Sequence, residues 1–246
     1  MGAWKRGLYS LEFDPVKYGL VSWWQLDDLT GDKYGTNTLT NNGGVTKAAG
    51  PNAVLDSVGS FASASSQNLS IASNASVQTG NISWWLAVWG RILDKSDNRP
   101  LVAKDVIVSA REYNLIYAQG ADRFSFDVAN GATTLVGVAP ANTLGSPTIG
   151  TWYFLFGYLD IVAGTVSISV NGGVFDTAAL TGTPGTTNSA FRIGEIETAV
   201  PAFMNGQIAA VAMGKLPNIG NLAPQLNALL YHGGMGRRFP FALGAA

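Results

Sequence analysis

The chain has 246 residues, 47% of them hydrophobic and only 13% charged, with 30 glycines, no cysteine and a formal net charge of −1. That is enough chain for a substantial core, too apolar for a disordered protein, and without the basic face that a nucleic-acid partner demands. Missing cysteines exclude disulfide staples and thiolate metal sites, and no apolar run approaches the roughly 20 residues that cross a bilayer.

Residues 1–18 read as an arm, in which Trp4, Leu8, Tyr9, Leu11 and Phe13 are apolar without a clean period. Such a segment suits either a clip that docks on a neighbouring subunit or an extra strand laid on its own domain. Lys5-Arg6 is not followed by a continuous apolar stretch before Glu12 and Asp14, so no secretion signal is expected. From residue 19 the dominant signal is alternation of period two. It predicts strands at 19–25, 53–62, 68–72, 81–92, 101–108, 113–118, 122–128, 133–138, 152–158, 165–170, 190–194 and 206–213. Phe124, Phe126 and Val128 share one face of their strand, as do Val166, Ile168 and Val170 of theirs. Asn171-Gly172-Gly173 then reads as a hairpin turn, and residues 152–158 are apolar on both faces, as a covered central strand would be. One helix is expected near the C-terminus. Asn221 supplies its N-cap, Pro224 falls in its first turn, Leu222, Leu226, Leu229 and Leu230 form its stripe, and Gly233 caps its end. Turn signals every ten residues or so make this an all-β, antiparallel two-sheet sandwich with one short C-terminal helix. The expected division is an arm at 1–18, the sandwich at 19–240 and a tail at 241–246.

Four constellations carry candidate chemistry. In Trp84-Trp85-Leu86-Ala87-Val88-Trp89, alternation puts Trp84, Leu86 and Val88 on one face and Trp85, Ala87 and Trp89 on the other. If the first set enters the core, Trp85 and Trp89 offer a stacking platform for sugar rings; the competing reading covers both faces and makes all three tryptophans core or subunit interface. Asp27, Asp28, Asp32 and Asn37 crowd the loop after the first strand, an oxygen set that a calcium ion could use. Their spacing is not that of a known calcium loop, Lys33 opposes the charge, and Asp and Asn also stabilise turns by themselves; no other cofactor is implied. Glu195-Ile196-Glu197 has two of the three same-face carboxylates that jelly-roll hydrolases carry, and the lone His232 sits at a helix C-terminus where a cation is favoured anyway. An enzyme is therefore not expected. The sequons at Asn68, Asn74 and Asn81 are taken as chance matches in a chain with no secretion signal.

Read in order, several landmarks resemble the laminin G-like family of concanavalin A-like jelly-roll domains. Trp23-Trp24-Gln25-Leu26-Asp27 is similar to its W-x-L-D/E ending, and Gly35-Thr36-Asn37-Thr38-Leu39-Thr40 to its G-N-x-L-T loop. Gly150-Thr151-Trp152-Tyr153, Val166 to Gly172, Phe191-Arg192-Ile193-Gly194, Asn205-Gly206-Gln207-Ile208 and Leu230-Tyr231-His232-Gly233-Gly234 resemble later motifs in the family's order. Within it, Arg111-Glu112-Tyr113 and Asp122-Arg123-Phe124 look most like domains encoded by tailed phages. The resemblance implies a non-catalytic structural or decorating protein on a virion surface, gripping other virion proteins or copies of itself. A carbohydrate-binding adhesin that uses Trp85 and Trp89 on a host-surface glycan is the alternative, and a glycoside hydrolase comes third.

Overall fold

The computed structural model describes residues 13–197 and 201–238. In chain order its strands are β1 (Leu20–Trp24), β2 (Thr40–Asn42), β3 (Thr46–Ala49), β4 (Ser57–Phe61), β5 (Asn68–Ile71), β6 (Trp84–Ile92), β7 (Arg99–Val106), β8 (Ala110–Ala118) and β9 (Arg123–Ala129). There follow β10 (Leu135–Pro140), β11 (Tyr153–Asp160), β12 (Thr165–Val170), β13 (Phe175–Ala179), β14 (Phe191–Ile193), β15 (Glu195–Ile196), β16 (Ala202–Phe203) and β17 (Gly206–Lys215), then the helix α1 (Ile219–Tyr231). One sheet runs β13-β12-β11-β6-β17-β4-β3, with β1 also paired to β17. The other runs β10-β9-β8-β7-β14-β5-β2, and every pairing within the two sheets is antiparallel. The expected two-sheet jelly-roll sandwich is what the chain forms.

Alternation places the core. Trp84, Leu86 and Val88 of β6 meet Tyr113, Leu115, Phe124, Phe126 and Phe191 from the opposite sheet. Trp84 lies edge-on to Phe126, with centroids 5.2 Å apart. At Gly157 a side chain would fall within 2.5 Å of the Phe126 ring, so the sheets approach this closely only because that residue has no Cβ. Five strands escaped the pattern, two of them the two-residue β15 and β16. β2, β3 and β13 are edge or near-edge strands whose residues are mostly exposed, so no apolar alternation marks them.

The outer face of the larger sheet is also buried. Ile219, Ala223, Leu226, Leu229 and Leu230 of α1 pack over Trp85, Ala87, Trp89, Phe154 and Phe156. Each fully buried large side chain there contributes roughly 1.5–3 kcal/mol, which explains why a single helix stays docked. The helix begins at Ile219, earlier than its sequence suggests, and Asn218 rather than Asn221 precedes it. It turns left-handed at His232 (φ 49°), one residue before the expected Gly233. Leu222 is only half-buried, because starting at Ile219 turns the buried stripe towards Ala223. Among the described residues no helix is long and apolar enough to cross a membrane.

Of the arm residues, Phe13 does not reach for a neighbour. It is 4% exposed, stacks on Tyr18 at 5.5 Å and leans on Trp23 at 6.2 Å, so it fills its own domain's core. Trp4, Leu8, Tyr9 and Leu11, like the tail at 241–246, lie outside the described residues.

Candidate functional site

Trp85 and Trp89 do not form an exposed platform. Both project from the outer face of β6 as alternation requires, but α1 covers them and leaves them 0% and 5% exposed. The Trp85 indole N–H donates to the carbonyl of Tyr18 at 2.8 Å, and the Trp89 ring stacks on Tyr231. They are interior residues between a sheet and a helix, and no sugar reaches them.

The acidic loop after β1 is tied together by its own side chains. Asp32 Oδ1 accepts the backbone N–H groups of Trp23, Tyr34 and Gly35 at 2.9–3.1 Å, and its Oδ2 accepts that of Asn37 at 3.0 Å. Asn37 is buried and donates to Ser22 and Ser76, both at 2.7 Å. Asp27 and Asp28 are bridged by Lys33 at 3.0 and 2.6 Å, and Asp27 also meets Arg238. Desolvation opposes ionisation of Asp28, but the hydrogen bond from Lys33 outweighs it together with the Gly31 N–H, and its pKa falls. Among the described residues no three acidic or histidine groups come together as a metal site.

The carboxylates of the hydrolase reading are likewise engaged. Glu195 and Glu197 both pair with Arg192, and β15 and β16 fold back over β7 so that Ile196 and Ala202 pack on Ala103 and Ile116. Beside them, on β7, β8 and β9, lies a polar cluster that sequence reasoning missed. Arg111 forks onto Asp105 at 3.1 Å, Asn114 donates to Asp105 at 2.8 Å, and Ser125 donates to Asp127. Burial raises the Asp127 pKa to about 6. These groups are closed in, and Asp127 is 8% exposed. His232 sits in its left-handed turn with Nδ1 3.1 Å from the Gly236 carbonyl oxygen.

What the helix leaves uncovered is one corner of the same outer face. Arg91 continues the parity of Trp85 and Trp89 along β6, Gln207 of β17 is its cross-strand partner, and Ser60 of β4 and Thr46 of β3 extend the row. Partners opposite each other in antiparallel strands share a face, so these side chains form one strip. At its end Trp152, half-exposed just before β11, lies under the Arg91 guanidinium, 5.5 Å from carbon to ring centroid. Arg91 Nε and Gln207 Oε1 are buried and have no hydrogen-bond partner. Arg91 joins no ion pair among the described residues, whereas Arg99, Arg111, Arg192 and Arg238 are all held by carboxylates. An indole face for apolar C–H groups, a planar set of donors and a primary amide are the groups that recognise a sugar ring. The signal was present in the sequence, since Arg91 is Trp89 plus two, but nothing local says where the cover ends.

The model of the concanavalin A-like lectin/glucanases superfamily matches residues 63–214. The chain belongs to that superfamily. The superfamily match takes in Arg91, Trp152 and Gln207 and stops short of α1, so the helix that buries Trp85 and Trp89 lies beyond it. Among solved structures, domain 4 of AbnA, a GH43 extracellular arabinanase from Geobacillus stearothermophilus, was determined with arabinotriose. It shares the fold at TM-score 0.63 and 16% identity, over 89% of this chain and 98% of that one. The binding domain of Paraclostridial Mosquitocidal Protein 1 superposes at TM-score 0.65 with 13% identity, over 86% of this chain and 52% of its own. The botulinum neurotoxin serotype C1 binding domain gives TM-score 0.63 and 13% identity, over 88% and 53%. This chain spans about half the length of those toxin domains. At these identities the likeness is one of fold. Curated protein sequences give no match.

Proposed function

We propose that this protein is a non-catalytic carbohydrate-binding module, and that it binds saccharides on the strip formed by Trp152, Arg91 and Gln207. The observation that carries the reading is the juxtaposition of a partly exposed indole with the Arg91 guanidinium, which no carboxylate among the described residues holds, beside the unpartnered amide oxygen of Gln207. Buried polar atoms without partners cost about 1–3 kcal/mol each unless water or a ligand satisfies them. A domain of the same fold and almost the same extent was solved with a trisaccharide, which supports the class of ligand. The internal commitments of Glu195, Glu197 and His232 favour binding over hydrolysis.

A glycan array with the whole chain tests this. Binding is expected, and Trp152→Ala should weaken it at least tenfold while leaving the melting temperature nearly unchanged. Failure to bind any glycan, or binding indifferent to Trp152, overturns the proposal.

The narrower role on a phage virion rests on the low charge and absent cysteines and on two motifs, which serve the sandwich itself. Arg111 and Glu112 pair with Asp105 and Lys104, Tyr113 and Phe124 are core, and Asp122 takes Lys95. It is tested by deleting residues 1–12, which keeps Phe13 in place. A virion clip predicts lost assembly with folding intact, and unchanged assembly sinks it.

A further inference from the structure

We infer that the saccharide taken by this strip is acidic, with its anionic group, a carboxylate or a sulfate ester, seated on Arg91. The inference rests on the carbohydrate-binding reading and narrows it to a class of sugar.

A half-buried guanidinium loses part of its hydration, and proteins ordinarily compensate with a carboxylate. This chain does so repeatedly: Arg99 meets Asp94, Arg111 forks onto Asp105, Arg192 meets Glu195 and Glu197, and Arg238 meets Asp27 and Asp56. Arg91 has no such carboxylate among the described residues; Arg123 has none either, but it is held by the Ala121 carbonyl and Asn142 Oδ1. Its residues in register are Gln207 and, one strand further, Ser60 and Thr46, all neutral. Its other neighbour is the Trp152 ring, which orients the guanidinium plane without neutralising it.

A neutral sugar offers such a group only hydroxyl oxygens. A carboxylate or sulfate offers two oxygens spaced for the guanidinium fork, with hydrogen bonds roughly twice as strong as neutral ones. Gln207, 8% exposed and with Oε1 unpartnered, stands beside it. Trp152, partly exposed under the guanidinium, offers its remaining indole surface to the apolar part of the sugar ring. Lysine could not reproduce this geometry, since an ammonium is a point charge and does not lie flat on an indole.

The test is titration of the whole chain by calorimetry with four probes: trigalacturonate and sialyllactose for carboxylates, a chondroitin sulfate tetrasaccharide for sulfate esters, and arabinotriose as the neutral control. At least one acidic probe should bind ten times or more tighter than arabinotriose, and more weakly as salt rises. Arg91→Gln should abolish that advantage while keeping residual neutral binding, and Arg91→Lys should restore only part of it. Circular dichroism melts of both variants confirm that the fold survives. Comparing the carboxylate and sulfate arms decides which group Arg91 takes. Arabinotriose bound as tightly as every acidic probe, or an acidic preference untouched by Arg91→Gln, overturns the inference but leaves the module reading standing. No binding of any probe, followed by none on the array, overturns both.

Discussion

Trp89 of β6 stacks on Tyr231, the last residue of α1, with ring centroids 5.8 Å apart and planes within 13°. The helix ends at that contact, and Gly236 carries the cover on, since a side chain there would fall 3.0 Å from the Trp89 indole nitrogen. Two tryptophans on one face have opposite roles. Trp89→Ala should cost about 3–5 kcal/mol of unfolding free energy, the usual loss for a buried Trp. Trp152→Ala, at a partly buried position on the margin of the same cluster, should cost clearly less than that and lower saccharide affinity. Urea denaturation of both variants separates the roles, and equal destabilisation would contradict the assignment.

Asp127 gives the fold a pH dependence. In the folded chain its carboxyl keeps a proton up to about pH 6, against an ordinary value of 3.8, because burial penalises the charge. Between those values the native state holds a proton that the unfolded chain has released. Stability from this group is thus complete below the lower value, falls as pH rises through the window, and levels off above it. The full effect is about 3 kcal/mol. Asp127→Asn should flatten the slope between pH 4 and 6 relative to the parent and raise stability at pH 7. A parallel slope in the variant would show that another group titrates there.

Lys104 and Glu112 form a wholly buried ion pair at 2.8 Å, and Glu112 also accepts the backbone N–H groups of Thr79 and Thr187, fastening two loops. Removing one partner strands the other's charge, at about 3–5 kcal/mol. Glu112→Met should cost more than Lys104→Met, since it also strands two N–H donors. The double variant should lose clearly less than the sum. Chemical denaturation of the cycle measures this, and strict additivity would mean the two charges do not support each other.

Calcium should leave the melting temperature unchanged. A weak loop site with a dissociation constant of 0.1–1 mM would add on the order of 1–3 kcal/mol at 10 mM calcium. Lys33 and Arg238 already hold Asp27 and Asp28, and Asp32 spends its oxygens on backbone N–H groups. A calcium-dependent rise of several degrees in a thermal melt would reverse this reading.

By itself the sequence determined the sandwich. Period-two alternation is a local property, and it assigned Trp84, Leu86 and Val88 to one face of β6 and Trp85, Ala87 and Trp89 to the other. The helix stripe was legible for the same reason, within three residues of its start. Edge strands such as β3 were not, because exposed residues have no face to keep apolar. Whether an outward face meets water or another element depends on contacts between residues far apart in the chain. Only the tertiary structure decided that α1, more than 120 residues beyond β6, comes to rest on Trp85 and Trp89 and stops at Tyr231. It also decided that Arg91 and Trp152, some 60 residues apart, are left together at the uncovered corner.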